Sequence, residues 1–243
     1  MSKDNINIFN EAINFYYRKK SEVCNEEDMF KIFYETYKKS NSPIAAFWLG
    51  KCYQFGYGTK KNYAKANEFF IVATSKKSAK EISQIANYYL SYNYRLGLGV
   101  LNPKDHELNK VFANEHLLNA AKFGYDQAQY DVGIRALFGI DMNQDVKLGV
   151  HMLMLASNKN TEVISRQTES VYGFAKAQKL LSFCYQNGIG FDQPDPLKAK
   201  VYYASSQKKE NQHSTCNINK FVYDIDAELE EFVATKKNIA NVM

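Results

Sequence analysis

The side chains best suited to chemistry are four histidines, His106, His116, His151 and His213, and four cysteines, Cys24, Cys52, Cys184 and Cys216. Zinc and metallohydrolase sites need ligands at short fixed spacings such as H-E-x-x-H or C-x-x-C; neither spacing occurs. Ser, Cys and His are present, but no nucleophile elbow or comparable local signature accompanies them. GYGTKK, beginning at Gly56, has the glycines of a phosphate loop. It lacks the G-K-[ST] ending and follows a helical pattern where a phosphate loop follows a strand. The sequence therefore names no catalytic residue, no metal site and no cofactor.

The elements around those residues explain the glycines better. AAFWLGKCYQFGYG (45–58) returns as ANYYLSYNYRLGLG (86–99), AQYDVGIRALFGID (128–141) and AQKLLSFCYQNGIG (177–190). The first glycine of each close, Gly56, Gly97, Gly139 and Gly188, recurs at steps of 41, 42 and 49 residues. A period in this range marks stacked supersecondary units. Offsets 0, 4 and 8 of each unit hold Ala45, Leu49 and Tyr53; Ala86, Leu90 and Tyr94; Ala128, Val132 and Ala136; Ala177, Leu181 and Tyr185. That spacing puts them on one helical face. The residue after the second position is small each time, Gly50, Ser91, Gly133 and Ser182, so a second helix can approach closely. Glycine past a helix end reaches left-handed angles without a Cβ penalty. A second helical pattern follows each close, from Ala64, Phe112, Lys147 and Leu197. Each unit is helix, tight turn, helix.

The pattern A-x-x-x-L-G-x-x-Y-x-x-G-x-G with a K-A-x-x-(aromatic)-x-x-x-A second helix resembles the Sel-one-like repeat family, related to the tetratricopeptide repeats. The clearest unit carries it as Ala45, Leu49, Gly50, Tyr53, Gly56, Gly58, Lys65, Ala66, Phe69 and Ala73. The resemblance covers residues 43–206 and implies an all-α, right-handed α/α superhelical solenoid of about four and a half helix-turn-helix repeats. Ala136, Asp141, Ser91 and Ser182 depart from the pattern and predict looser packing at their positions. Residues 1–42 read as a degenerate N-terminal repeat or cap, with Asn25 capping its second helix. Residues 207–243 read as a polar linker and a C-terminal capping helix, with Phe221, Ile225, Leu229, Phe232 and Val233 on one stripe. LNPKDHELN (101–109) reads as a surface loop, and the polar stretch 158–174 as a loop or an added helical turn.

Composition sets bounds. Hydrophobic residues make up 45% of the 243-residue chain and aromatics 14%, which excludes disorder throughout and suits rings packed between stacked helices. The net charge of +5 is scattered along the chain, and the pI of 8.8 falls short of the concentrated basic stripe of nucleic-acid binders, so no nucleic acid is expected. No run reaches the roughly 18 apolar residues of a membrane helix. The N-terminus lacks a basic region followed by an apolar core, so a cytoplasmic protein with free thiols is expected; secretion by a signal-independent route, or a leader already removed, stays open. Abundant Lys, Asn, Ile and Tyr suit a low-GC bacterial genome.

Opposite the packing face lie Phe47, Lys51 and Gln54 in the first unit. Their equivalents are Tyr88, Tyr92 and Arg95, then Tyr130, Ile134 and Leu137, then Lys179, Phe183 and Gln186. In tetratricopeptide-like arrays the first helices line the concave groove, so the resemblance implies that these positions face a ligand or pack against the next repeat. The first of each triple favours packing. The partner-binding candidates are Lys51, Tyr88, Tyr92, Arg95, Tyr130, Ile134 and Phe183, reading a protein or peptide with apolar anchors and some acidic character. A non-enzymatic interaction scaffold is the expected function. The alternatives are a bacterial immunity or effector protein and a β-lactam or cell-wall hydrolase like the cysteine-rich members of the family, whose regular cysteine pairs are missing here.

Overall fold

The computed structural model describes residues 3–18, 25–75, 80–157 and 171–213, and all regular structure among them is helical. The helices are α1 (Lys3–Arg18), α2 (Glu26–Ser40), α3 (Pro43–Phe55), α4 (Tyr63–Ala73), α5 (Lys80–Arg95), α6 (His106–Lys122), α7 (Asp126–Phe138), α8 (Val146–Ser157), α9 (Val171–Asn187) and α10 (Pro196–His213). α3/α4, α5/α6, α7/α8 and α9/α10 form hairpins, each packed on the next, with α1 and α2 paired ahead of α3. The fold is the all-α repeat solenoid that the periodicity predicts.

The four turns repeat in chemistry as well as in shape. Gly56, Gly97, Gly139 and Gly188 all sit at positive φ, between 66° and 82°. The next amide, of Tyr57, Leu98, Ile140 or Ile189, donates back to the carbonyl of Cys52, Asn93, Arg135 or Cys184 at 2.8–3.0 Å. These bonds satisfy carbonyls that the helix end leaves open. The second glycine serves a different purpose, because a Cβ on Gly99 would lie 2.3 Å from the backbone of Tyr63, at the start of the preceding unit's second helix. Asp141 takes this place in the third unit at φ 57°, held by an ion pair to Arg135 at 2.8 Å. Each second helix is then capped by an Asn or Asp side chain accepting an amide: Asn62 from Lys65, Asp105 from Leu108, Asp145 from Leu148 and Asp195 from Lys198. Asn25 caps α2 in the same way, within a capping box.

Packing follows the offsets. Ala45, Ala86, Ala128 and Ala177 are fully buried, as are Leu49, Leu90, Val132 and Leu181. At Gly50 an added Cβ would come within 2.6 Å of the Phe70 ring, and at Gly133 within 2.8 Å of Leu153, so partner helices touch the backbone there. Ser182 keeps the close approach where looser packing was expected, its hydroxyl donating to the Ala199 carbonyl at 2.8 Å.

Several boundaries differ from the sequence-based expectation. Asp105 caps α6 and His106 begins it, so the expected loop 101–109 ends four residues early, because the carboxylate supplies a helix start inside it. α10 runs through His213, past the expected start of the polar linker at 207. α9 begins at Val171, inside the stretch expected as a loop or added turn. Residues 158–170, Cys24, Cys216 and the apolar stripe beyond residue 213 lie outside the described residues.

Candidate recognition groove

The first helices α3, α5, α7 and α9 carry the positions expected to read a partner. α7 divides the core. Ala128 and Val132 belong to a cluster reaching back to Phe9, whereas Tyr130, Ile134 and Leu137 belong to a second cluster with Val150, Leu153, Leu181 and Cys184. Tyr130 and Ile134, partner-binding candidates at positions expected to face a ligand or to pack against the next repeat, are 3% and 2% exposed and take the second course. Offsets of 2 and 6 from Ala128 point these side chains at the next hairpin, where their burial contributes about 1.5–3 kcal/mol each.

Lys51, offered as a partner-binding candidate, is likewise buried, at 2% exposed. Its ammonium lies 4.6 Å from the centroid of Tyr16 of α1 and 5.3 Å from that of Tyr89 of α5, with Trp48 and Phe47 at 5.7 and 5.8 Å. Ring faces attract a cation most strongly where water is excluded, with about 2 kcal/mol as a typical upper contribution. This cationic aromatic cluster joins the N-terminal pair to the first two units.

Tyr88 is half-buried, and its hydroxyl donates to Asp131 Oδ2 on α7 at 2.9 Å; Gln127 Nε2 donates to the other carboxylate oxygen at 3.2 Å. Burial pushes the Asp131 carboxyl above its ordinary range, against the opposing pull of Arg135 and the Tyr88 bond. Burial likewise raises the Tyr88 phenol, reinforced by the charge of Asp131. Tyr92, Arg95 and Phe183 are half-buried and each is engaged in contacts. Arg95 is near enough to lower both pKa values.

Sequence reasoning missed a buried amide network at the first junction. Gln54 Nε2 donates to Asn93 Oδ1 at 2.9 Å, and Asn93 Nδ2 donates to Gln54 Oε1 at 2.8 Å and to Asn67 Oδ1 at 2.7 Å. Asn67 Nδ2 then donates to the Leu98 carbonyl in the next unit's turn at 2.8 Å. Asn114, equivalent to Asn67 one unit on, donates to the Asp141 carbonyl. The repeated word A-N-E, at 66–68 and 113–115, was the available signal. His116 is a further internal group, its Nδ1 2.9 Å from Asn87 Oδ1 and its ring stacked on Tyr94. Because Asn87 Nδ2 is already committed to the Ser83 carbonyl, Oδ1 is the acceptor and the imidazole the donor.

The cysteines do not supply a nucleophile at the described positions. Cys52 and Cys184 are buried free thiols, and burial pushes both up to about 12, far from the range in which a thiolate attacks. Among the described residues no cluster of three or more His, Cys, Asp or Glu could hold a metal, and no helix is long and apolar enough to cross a membrane.

Comparison with known proteins agrees with this architecture. No curated protein sequence matches the chain. A solved Sel1 repeat protein from Oxalobacter formigenes superposes with a TM-score of 0.60 at 25% identity, over 79% of this chain and 47% of that one. The chain thus spans about half the length of the Oxalobacter protein. A protective antigen of uropathogenic Escherichia coli with an SLR fold (14% identity, 87% of this chain and 58% of that one) and an immunity protein of Pseudomonas aeruginosa (15% identity, 86% and 83%) superpose with TM-scores of 0.30 and 0.36, too low to carry an argument. The Sel1 repeat itself matches at residues 43–78, 84–122, 126–160 and 175–206, over half of the sequence and over every hairpin described above. The chain belongs to the Sel1 repeat family.

Proposed function

We propose that the chain is a non-enzymatic scaffold that binds a protein or peptide partner along the inner face of its first helices. Sel1 repeat proteins are generally interaction scaffolds and typically non-catalytic, which supports the coarse reading. The observation that carries the finer one is the contrast between constant and variable positions. Offsets 0 and 4, which build the solenoid, hold alanine and then leucine or valine in all four units, whereas the second and third positions opposite them change character from unit to unit. Of these, Tyr92, Arg95 and Phe183 keep partial contact with solvent. A half-exposed Tyr and Arg are the residue types that most often dominate binding energy, and they suit a partner with apolar anchors and acidic groups. Lys51, Tyr88, Tyr130 and Ile134 support this surface from behind by fixing the spacing of α3, α5 and α7. In this reading residues 1–42 act as the N-terminal cap, 43–206 as the recognition array and the part of 207–243 beyond α10 as a C-terminal cap.

The test is capture of partners by the unaltered chain and by a Tyr92→Ala/Arg95→Glu/Phe183→Ala variant of unchanged helical circular dichroism. Loss of the captured partner, by tenfold or more, is expected. Equal capture by the variant would assign recognition to another face.

A further inference from the structure

The hairpin of α9 and α10 is built inside like the ones before it. Tyr185 stacks on Tyr202 with ring centroids 5.3 Å apart, as Tyr53 stacks on Phe69 at 5.6 Å and Tyr94 on His116 at 5.5 Å. What sets it apart is the face that each earlier hairpin turns toward its successor.

The same positions make that face at every junction. From the first helix come the residues 2, 6 and 9 places after the leading alanine. Lys51 reaches Tyr89 of the next unit, Gln54 bonds Asn93, Tyr88 bonds Asp131, and Tyr130, Ile134 and Leu137 share a cluster with Leu181 and Cys184. From the second helix come one large apolar residue and one that meets the next turn. Phe33 stacks on Trp48 at 5.7 Å and Phe70 on Tyr89 at 5.1 Å, while Leu153 joins the cluster of Leu181. Asn67 donates to the Leu98 carbonyl of the next turn and Asn114 to that of Asp141, and a Cβ on Gly190 would come within 2.6 Å of Val150.

In the fourth unit these positions hold Lys179, Phe183, Gln186, Lys200 and Tyr203. Phe70, Leu117 and Leu153 are at most 2% exposed, whereas Tyr203, their equivalent, is 52% exposed. Lys179, Gln186 and Lys200 are exposed with it. A surface that the preceding units use to seat a neighbouring hairpin is therefore open on α9 and α10, and the earlier junctions show the shape of what it seats.

Its chemistry narrows the occupant. Tyr88, two places after its alanine, meets a carboxylate three places after the next alanine. Lys179 stands in the place of Tyr88, and an ammonium holds a carboxylate there by a stronger, charge-assisted bond. Lys200 stands in the place of Asn67 and Asn114, and its ammonium offers three donors to the turn carbonyl that those amides reach. A second copy is a poor match. At the opposite end of the array the groove between α1 and α2, floored by Ile8 and Ile32, carries Lys31 and Lys39 against Glu35, and like charges across an interface oppose association.

We propose that this end face takes a helical hairpin of another protein, stacked on the array as a further unit, with a carboxylate against Lys179 and a turn carbonyl on Lys200. The proposal rests on the reading of the chain as an interaction scaffold and not on the groove.

The probe that tests it is a synthetic peptide of residues 126–157, the hairpin of α7 and α8, which carries Asp131 three places after Ala128. Titrated into the full chain, it should bind saturably and gain helical circular dichroism. Lys200→Glu/Tyr203→Asp should weaken binding by about tenfold or more. Lys179→Glu should weaken it as well, and a peptide carrying Asp131→Lys should recover most of that loss. Tyr92→Ala/Arg95→Glu leaves the end face intact and should bind the peptide within about twofold of the parent. Absence of saturable binding overturns the proposal, as does binding indifferent to Lys200 and Tyr203. Loss of binding in the Tyr92/Arg95 variant overturns it too, by moving the contact into the groove. Hydroxyl-radical oxidation of Tyr203 in the unaltered chain is the second measurement, and fast oxidation is expected. Slow oxidation in dilute protein would give the face to another part of this chain, and oxidation that slows with concentration would give it to a second copy; either overturns the proposal. The groove is judged on captured partners, so the two readings fail separately.

Discussion

The junction between the first and second hairpins and that between the third and fourth place different chemistry at the same three positions. Gln54, Asn67 and Asn93 meet at the first as a hydrogen-bonded amide network; Leu137, Val150 and Cys184 stand at the equivalent places in the last and belong to one apolar cluster. The backbone tolerates both because the small residues and glycine turns set the helix spacing in either case. The energetics differ. Apolar burial is non-directional and fills whatever space is offered, whereas a buried amide network is stable only when each member finds its partner. The first junction thus specifies register, and the last supplies bulk stabilisation.

Breaking one member of each junction should give the largest effects. Asn93→Ala leaves the buried amide of Gln54 and the Oδ1 of Asn67 without their Asn93 partner and should destabilise the chain by about 2–4 kcal/mol; denaturant unfolding followed by circular dichroism measures it. Cys184→Asn, which places a lone amide in the apolar junction, should cost a similar amount, about 2–3 kcal/mol, while Cys184→Val should stay within about 1.5 kcal/mol. Transplanting the whole set, Gln54→Leu/Asn67→Val/Asn93→Cys, sharpens the comparison. Since all three partners leave together, the triple variant should be more stable than Asn93→Ala, short of the parent by about 1 kcal/mol for the lost bond to Leu98. A triple variant less stable than Asn93→Ala would show that packing shape, and not pairing, separates the two junctions.

Titration should produce effects of intermediate size between the two junctions, at His116 of α6 and Asp131 of α7. Burial lowers the His116 pKa, with Glu115 opposing, so the folded chain holds this imidazole neutral. The stability it contributes is complete above the ordinary histidine value of about 6.5 and is lost as pH falls below it toward the depressed folded value. The thermal midpoint of the unaltered chain should therefore drop between pH 6.5 and 5 relative to His116→Gln. Asp131 has the opposite sign. Its raised pKa means that stability is complete below the ordinary carboxylate value and declines as pH rises through the folded value. Asp131→Asn should remove that decline.

The smallest difference is expected at the cysteines. Cys52 belongs to the apolar cluster that reaches back to Phe9 and Cys184 to the second one, yet both are buried and both are pushed up to about 12. Alkylation at pH 8 mapped by mass spectrometry should leave both unmodified in the native chain and modify both in denaturant. Rapid native labelling of one alone would show that its cluster opens locally.

Much of the fold was legible because its causes are local and repeat. Four glycine closes, four alanine-to-leucine or alanine-to-valine offsets and an Asn or Asp before each second helix each state a backbone requirement within a few residues. The candidate site was less legible. Lys51, Tyr130 and Ile134 share a helical-wheel side with Tyr92 and Phe183, and a wheel cannot tell a groove from a neighbouring helix. Gln54 was placed only as opposite the packing face, toward a ligand or the next repeat, and its partner Asn93 lies 39 residues away. No pattern in a single sequence links two amides across that distance.

What the sequence determined alone is the unit: helix, left-handed turn, capped helix, repeated with its glycines where a Cβ has no room. What the tertiary structure decided is which first helices meet water and which, like α3 and α7, are buried on every side. That choice depends on how far each hairpin rotates against the next and on side chains drawn from different units. Tyr16 and Tyr89 close over Lys51, and Tyr88 reaches Asp131. Local backbone chemistry is written residue by residue, but burial is a property of neighbours that become adjacent only once the array has stacked.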